Sequence, residues 1–361
     1  MLVFGAPSRY YQGPGCLEKI GEIAASAGAR FAVVADAFVL PMLRGTLERA
    51  FANAGLSAQI LPFSGDVTES AIAGLVAEAQ AENPDAVIAI GGGKAIDVGK
   101  ALSHRLGRDI ITVPTAAAND APTSKNYVIY DENHALVEVA HLPASPRAVI
   151  VDSSIIAGAP KALLVAGIGD ALTKAFEAAQ CYAVEGRNMF GQQPSLSALV
   201  LARACYDMVR RHACAGLALA GSGQSSKAFE ELLEAMFVMG GLGFESGGLS
   251  IAHAMTRGLS KVKGAAEAVH GHQVAYGLLV QLHLERRPQD YIADLLGFYA
   301  DVGLPTTLRA LGVQSPDDAI FRQIAGPTLA APHAKNFERE LSEQDLIDAI
   351  RGVEGLTARP A

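Results

Sequence analysis

The segment Asp85–Lys100 reads DAVIAIGGGKAIDVGK. Its apolar run Ala86–Ile90 predicts a buried strand. Gly91, Gly92 and Gly93 then lead into a helical pattern that begins near Lys94. A strand turning through glycines into a helix leaves free backbone N–H groups and the positive helix end facing one point. Only glycine lets a ligand approach the backbone so closely, so such a point suits a phosphate. The spacing is neither the dinucleotide fingerprint G-x-G-x-x-G nor the P-loop G-x-x-x-x-G-K-[ST]. A plain strand-to-helix turn of an α/β domain therefore stands beside the phosphate reading.

Around this segment, short β-rich runs alternate with helix-length stretches. The runs are Phe31–Val34, Ala58–Leu61, Ala86–Ile90, Ile110–Val113 and Ala148–Val151. That alternation predicts βαβ units and a parallel sheet. Tyr127–Tyr130 and Ala135–Val139 flank the polar residues Asp131-Glu-Asn-His134, which predicts a hairpin. The character changes near residue 155. After Gly158-Ala-Pro160 the chain is rich in alanine and leucine at helical spacing almost to its end, and proline suits a first helical turn. The predicted organisation is an α/β domain over residues 1–157 and an all-α domain over residues 158–361.

Composition narrows the classes. The 361 residues, 50% of them hydrophobic, suffice for a large core in two domains. A formal charge of −8 without basic runs argues against nucleic acid and against an anionic membrane surface as partners. The first residues, MLVFGAPSRYYQG, lack the charged region and apolar core of a secretion signal, and no stretch approaches about 18 unbroken apolar residues. Cys16, Cys181, Cys205 and Cys214 show no C-x-x-C spacing, so neither a disulfide framework nor a thiolate zinc site is indicated. The expected location is a reducing cytoplasm.

In the second half the residues able to do chemistry are Asp170, His253 and His270. Asp170 lies in Gly167-Ile-Gly-Asp170, which reads as a helix start, where aspartate is also an ordinary N-cap. His253 and His270 lack the i,i+4 spacing that would put both on one helix face. They can meet only from different helices. If they converge with Asp170, one carboxylate and two imidazoles with an open fourth position make a catalytic zinc site.

These pieces, in this order, resemble the glycerol dehydrogenase group of the iron-containing (group III) alcohol dehydrogenase superfamily. The matching segments are Tyr11-Gln-Gly13, Val33-Val-Ala-Asp36, Gly91-Gly-Gly-Lys-Ala-Ile-Asp97, Pro114-Thr115, Asp120-Ala-Pro122, Val151-Asp152, Ala166–Leu172, Gly243–Gly248, His270-Gly271 and Val274-Ala-Tyr-Gly277. The resemblance implies a dehydroquinate synthase-like fold, NAD as cofactor and one divalent metal. That metal is usually zinc in such enzymes and iron in some relatives. It assigns Asp170, His253 and His270 to the metal, and Gly91, Gly92, Gly93 and Lys94 to the NAD pyrophosphate. It counts Asp97, read at the helix start, among the cofactor residues, with a helix cap as the other reading, and places Thr115, Ser124, Asn126 and Tyr130 on the nicotinamide half. Asp36, ending a strand, would accept hydrogen bonds from the ribose and repel a 2′-phosphate, favouring NAD over NADP. Asp120 matches an aspartate near the substrate hydroxyls, although Asn119-Asp120-Ala-Pro is also strong turn chemistry.

The implied activity is oxidation of a small polyol such as glycerol to its ketone, with hydride passing to NAD. A homo-oligomer is expected. Several residues depart from the family pattern: Lys125, Thr256-Arg257, His272 and Lys335 stand where other residue types are usual. Lys125 and Arg257 leave open an alternative substrate that is anionic, such as a 2-hydroxy or 2-oxo acid.

Overall fold

The computed structural model describes residues 1–132 and 136–357. They form two compact units: Gly5–Lys161 with Leu219–Phe237, and Met1–Phe4 with Ala162–Ala218 and the chain from Val238 onward.

The first unit is built on eight strands: β1 (Arg9–Gly13), β2 (Arg30–Asp36), β3 (Ser57–Phe63), β4 (Ala86–Gly91), β5 (Asp109–Pro114), β6 (Asn126–Tyr130), β7 (Leu136–His141) and β8 (Ala148–Asp152). Six of them form a sheet in the order β1-β8-β5-β4-β2-β3, with every neighbouring pair parallel. Parallel strands need crossovers, and these place helices on both faces of the sheet. Alternate residues of β2 show the result. Phe31, Val33 and Ala35 pack with Leu43, Leu47 and Phe51 on one face. Ala32 and Val34 pack with Ile72, Leu75 and Ile96 on the other. Burial on both faces is why these strands read as apolar runs in the sequence.

Each of the five predicted sheet strands is present and is one to three residues longer than its apolar run. β1 was not legible as a strand, because RYYQG is an edge segment that is at most half-buried and carries no apolar run. β6 and β7 pair as the predicted antiparallel hairpin, with Asn126 opposite His141. Of its predicted turn and following strand start, Asn133, His134 and Ala135 lie outside the described residues.

The compact units do not follow chain order as a single division at residue 157 would. Within Leu219–Phe237, Gly221 N–H donates to Ala157 O at 2.6 Å, and Gln12 Nε2 donates to Glu230 Oε2 at 2.7 Å. The second unit is helical among the described residues, apart from an isolated bridge between Leu2 and Gln193. Its helices include Lys161–Ala183, Leu196–Leu217, Ile251–Leu259 and His270–Leu284. No single helix among the described residues is long and apolar enough to cross a membrane.

Candidate active site

The helix Lys161–Ala183 carries Asp170 in its interior. This corrects the expectation of a helix start and an N-cap role. Gly169, inside this helix, serves close packing. A Cβ on Gly169 would lie 2.6 Å from Gly271 O and 2.8 Å from Leu304 Cδ2. The counterpart at Gly271 would lie only 1.8 Å from Ala166 O. The absence of both side chains lets the first turn of helix His270–Leu284 press against the middle of Lys161–Ala183. His270, its first residue, thereby reaches Asp170.

His253 comes from the helix Ile251–Leu259, whose N-terminus has no cap from Ser250. Glu177 supplies one across space. Its Oε1 accepts the N–H groups of Ser250 and His253, both at 2.9 Å, and Oε2 lies 2.5 Å from His253 Nδ1. A carboxylate there satisfies orphan donors and the helix dipole. With Nδ1 engaged by Glu177, Nε2 is the ring atom left to face Asp170.

The three residues converge. One ligand atom from each of Asp170, His253 and His270 lies within 4.8 Å of the other two. Asp170 Oδ1 is 3.2 Å from His253 Nε2 and 4.0 Å from His270 Nε2. Asp170 and His253 are buried, whereas the His270 side chain is 47% exposed, so the cluster has a closed floor and an open rim. Burial pushes the Asp170 carboxyl up, but Lys174 and the two imidazoles outweigh it and hold the group below the usual carboxylate range. At His253 burial lowers the pKa and Glu177 raises it, with a net rise. One oxygen and two nitrogens at these separations fit a divalent cation that makes bonds of about 2.0–2.2 Å and keeps an open position.

In the first unit, β4 ends at Gly91 with φ +149°. A Cβ there would lie 2.6 Å from Ala95 Cβ and 2.7 Å from Asp36 Cβ, so the ends of β4 and β2 sit together. Gly92 is the extended N-cap of helix Gly93–Leu106, and a Cβ on it would meet nothing within 4 Å. Space is open over Gly92 in the turn that the sequence offers as a phosphate candidate, whereas a Cβ on Gly93 would lie 2.8 Å from Asn119 Nδ2. Asp36 is half-buried and accepts from Phe38 N–H at 2.8 Å. Lys94 forms an ion pair with Asp66. Thr115 N–H donates to Gly91 O at 3.0 Å.

Asp97 lies beyond the first helical turn and accepts from Val128 N–H at 3.2 Å, so it does not cap the helix. Burial pushes its pKa up to about 7; Lys100 opposes that rise and Asp120 adds to it. Lys100 is fully buried, and its ammonium donates to Ala121 O and Asn126 O, both at 2.6 Å. It thereby fixes the segment 121–126, with buried Ser124 and Asn126. Asn119 Oδ1 accepts from Ala121 N–H at 3.2 Å, which is the turn chemistry read around Asp120. Tyr130 is partly buried, and burial raises its phenol pKa.

Comparison with known proteins follows the same lines. The iron-containing alcohol dehydrogenase family profile matches residues 7–153. A glycerol dehydrogenase of Escherichia coli O6:H1 is 38% identical over 323 residues, spanning 90% of this chain and 88% of that protein. The chain belongs to the iron-containing alcohol dehydrogenase family. A glycolaldehyde reductase of Halobacterium salinarum is 35% identical, over 90% of this chain and 88% of the relative. The crystal structure of a probable glycerol dehydrogenase from Sinorhizobium meliloti 1021 aligns with a TM-score of 0.92 at 31% identity, covering 99% of both chains.

Sequence reading of this alcohol dehydrogenase missed Lys174, Glu177 and Lys100. The first two stand at i+4 and i+7 from Asp170, a spacing that could have marked them as sharing its helix face. Burial lowers the pKa of His333, and the charge of His253 adds to the effect. Of the unusual residues, Arg257 is exposed and donates to Ala330 O at 3.1 Å, while Lys125 is buried. Asn336, beside Lys335, accepts from Arg187 N–H and donates to Leu249 O at 2.8 Å, steadying the approach to the His253 helix.

Proposed function

We propose that this chain is an NAD-linked, metal-dependent dehydrogenase of small vicinal diols, with glycerol oxidised to dihydroxyacetone as its first candidate reaction. The convergence of Asp170, His253 and His270 carries the reading, in a chain 38% identical to a glycerol dehydrogenase. Asp170 and the Nε2 atoms of His253 and His270 would hold the ion, with Zn²⁺ preferred and Fe²⁺ second. When bound, such an ion supplies Lewis acidity toward a substrate oxygen. Glu177 keeps the His253 ring oriented for that role through the 2.5 Å contact with Nδ1. The turn Gly91–Gly93 and the start of its helix receive the NAD pyrophosphate. Asp36 accepts from the adenosine ribose and disfavours NADP. Thr115, Ser124, Asn126 and Tyr130 serve the nicotinamide half, and Asp120 accepts from a second substrate hydroxyl. The enzyme works in the cytoplasm as a homo-oligomer.

The exposed Arg257, engaged with a backbone carbonyl, gives no support to an anionic substrate over the diol. The test is NADH formation with glycerol, other vicinal diols and 2-hydroxy acids, before and after chelation. Glycerol or a close diol is expected to lead, with turnover abolished by chelation and by His270→Ala while the fold persists. Asp120→Ala is expected to remove most of kcat/KM. Preference for 2-hydroxy acids, or full activity in metal-free protein, would overturn the reading.

A further inference from the structure

Lys174 is a cation in a place where a second cation is expected. Its side chain is 1% exposed, on the same helix face as Asp170. The ammonium lies 2.7 Å from Asp170 Oδ1 and 3.2 Å from His253 Nε2. Those two atoms are themselves 3.2 Å apart. The ammonium therefore occupies the one lone pair of a neutral His253 Nε2 and one of the acceptor sites of the Asp170 carboxylate, two positions a metal ion would use. A buried ammonium and a divalent ion this close repel strongly, because little water screens them.

We infer that Lys174 is the resident cation of the Asp170–His253–His270 cluster, and that a divalent ion must displace its ammonium in order to bind. The inference rests on the reading of that cluster as a metal site. Two consequences follow. Without metal, Asp170 is not left as a buried unpaired charge, so the ligands stay assembled. With metal, displacement of Lys174 weakens affinity below what the three ligands alone would give, and the ion becomes exchangeable. The ring of Phe244, whose centroid is 5.0 Å from Nζ, offers the displaced ammonium a favourable face.

The experiment measures Zn²⁺ affinity by competition with a chromophoric chelator, and the Tm of the metal-free protein, for wild type and Lys174→Met. Zn²⁺ is expected to bind the variant more tightly by ~10–100-fold, the scale on which neighbours of metal ligands tune affinity. The metal-free variant is expected to melt at a lower temperature than metal-free wild type. A residue with a packing role alone would weaken both. Unchanged or weaker Zn²⁺ binding by folded Lys174→Met overturns the inference. If that variant does not fold, Lys174→Gln and crystal structures of wild type with and without Zn²⁺ decide. The ammonium must leave Asp170 on loading, and one still hydrogen-bonded to Asp170 Oδ1 beside a bound zinc refutes displacement. Zn²⁺ binding that His270→Ala leaves intact would refute the metal-site reading itself, whatever Lys174 does.

Discussion

At the end of β4, Gly91 holds φ +149°, a backbone conformation that other residues rarely adopt, within a turn whose next two residues are also glycine. At the start of helix His270–Leu284, Gly271 is followed by histidine and has a helical backbone. It is required there because Ala166 O lies 1.8 Å from where its Cβ would be. The first glycine answers a demand of its own backbone and leaves a contiguous motif. The second answers a demand of a helix more than a hundred residues away, and leaves no local mark. Glycine therefore shapes both regions, by torsional freedom in one and by absent volume in the other.

The largest test of this contrast is Gly271→Val. The new side chain has backbone in its way, so the helices must separate. We expect a stability loss of about 3 kcal/mol or more and loss of measurable Zn²⁺ binding, read by thermal melting and calorimetry. Retained Zn²⁺ affinity would show that convergence of the ligands does not depend on that close approach.

A smaller effect is expected from Glu177→Gln, which keeps the shape but removes the charge that caps Ser250 and His253 and orients the His253 ring. Zn²⁺ affinity should fall by ~10–100-fold with NAD affinity unchanged in the same titrations. An equal fall in both would mean that the cap supports the fold generally and not the cluster.

The smallest is Gly91→Ala, which adds one methyl against Ala95 and Asp36 and forces a strained torsion. We expect about 1 kcal/mol of destabilisation and weaker NAD binding by fluorescence titration, with Zn²⁺ binding untouched. If NAD binds as before, the turn is only the strand-to-helix connection that its sequence also permits.

Legibility followed the reach of the interactions. The parallel sheet was readable because each central strand is buried on both faces and so carries an apolar run. The edge strand Arg9–Gly13 was not, since it carries no apolar run and none of its residues is fully buried, whereas the opposite edge strand, Ser57–Phe63, keeps the run Ala58–Leu61. Asp170 was singled out as a candidate, yet its place in mid-helix was misread because glycine signals a break unless a partner helix needs the space. The sequence likewise puts Asp97 at a helix start, while it sits beyond the first turn and its partner, the N–H of Val128, lies 31 residues onward.

By itself the sequence determined the alternation of strand and helix, the glycine turn and the change to a helical second half, while Asp170, His253 and His270 became candidate metal ligands through the family resemblance. The first three are properties of composition, period and residue type. Only the tertiary structure decided that Asp170, His253 and His270 meet, that Glu177 orients one of them and that Lys174 already stands between two. Those contacts depend on how closely three helices approach, which is set by missing side chains and remote carbonyls that no local spacing encodes.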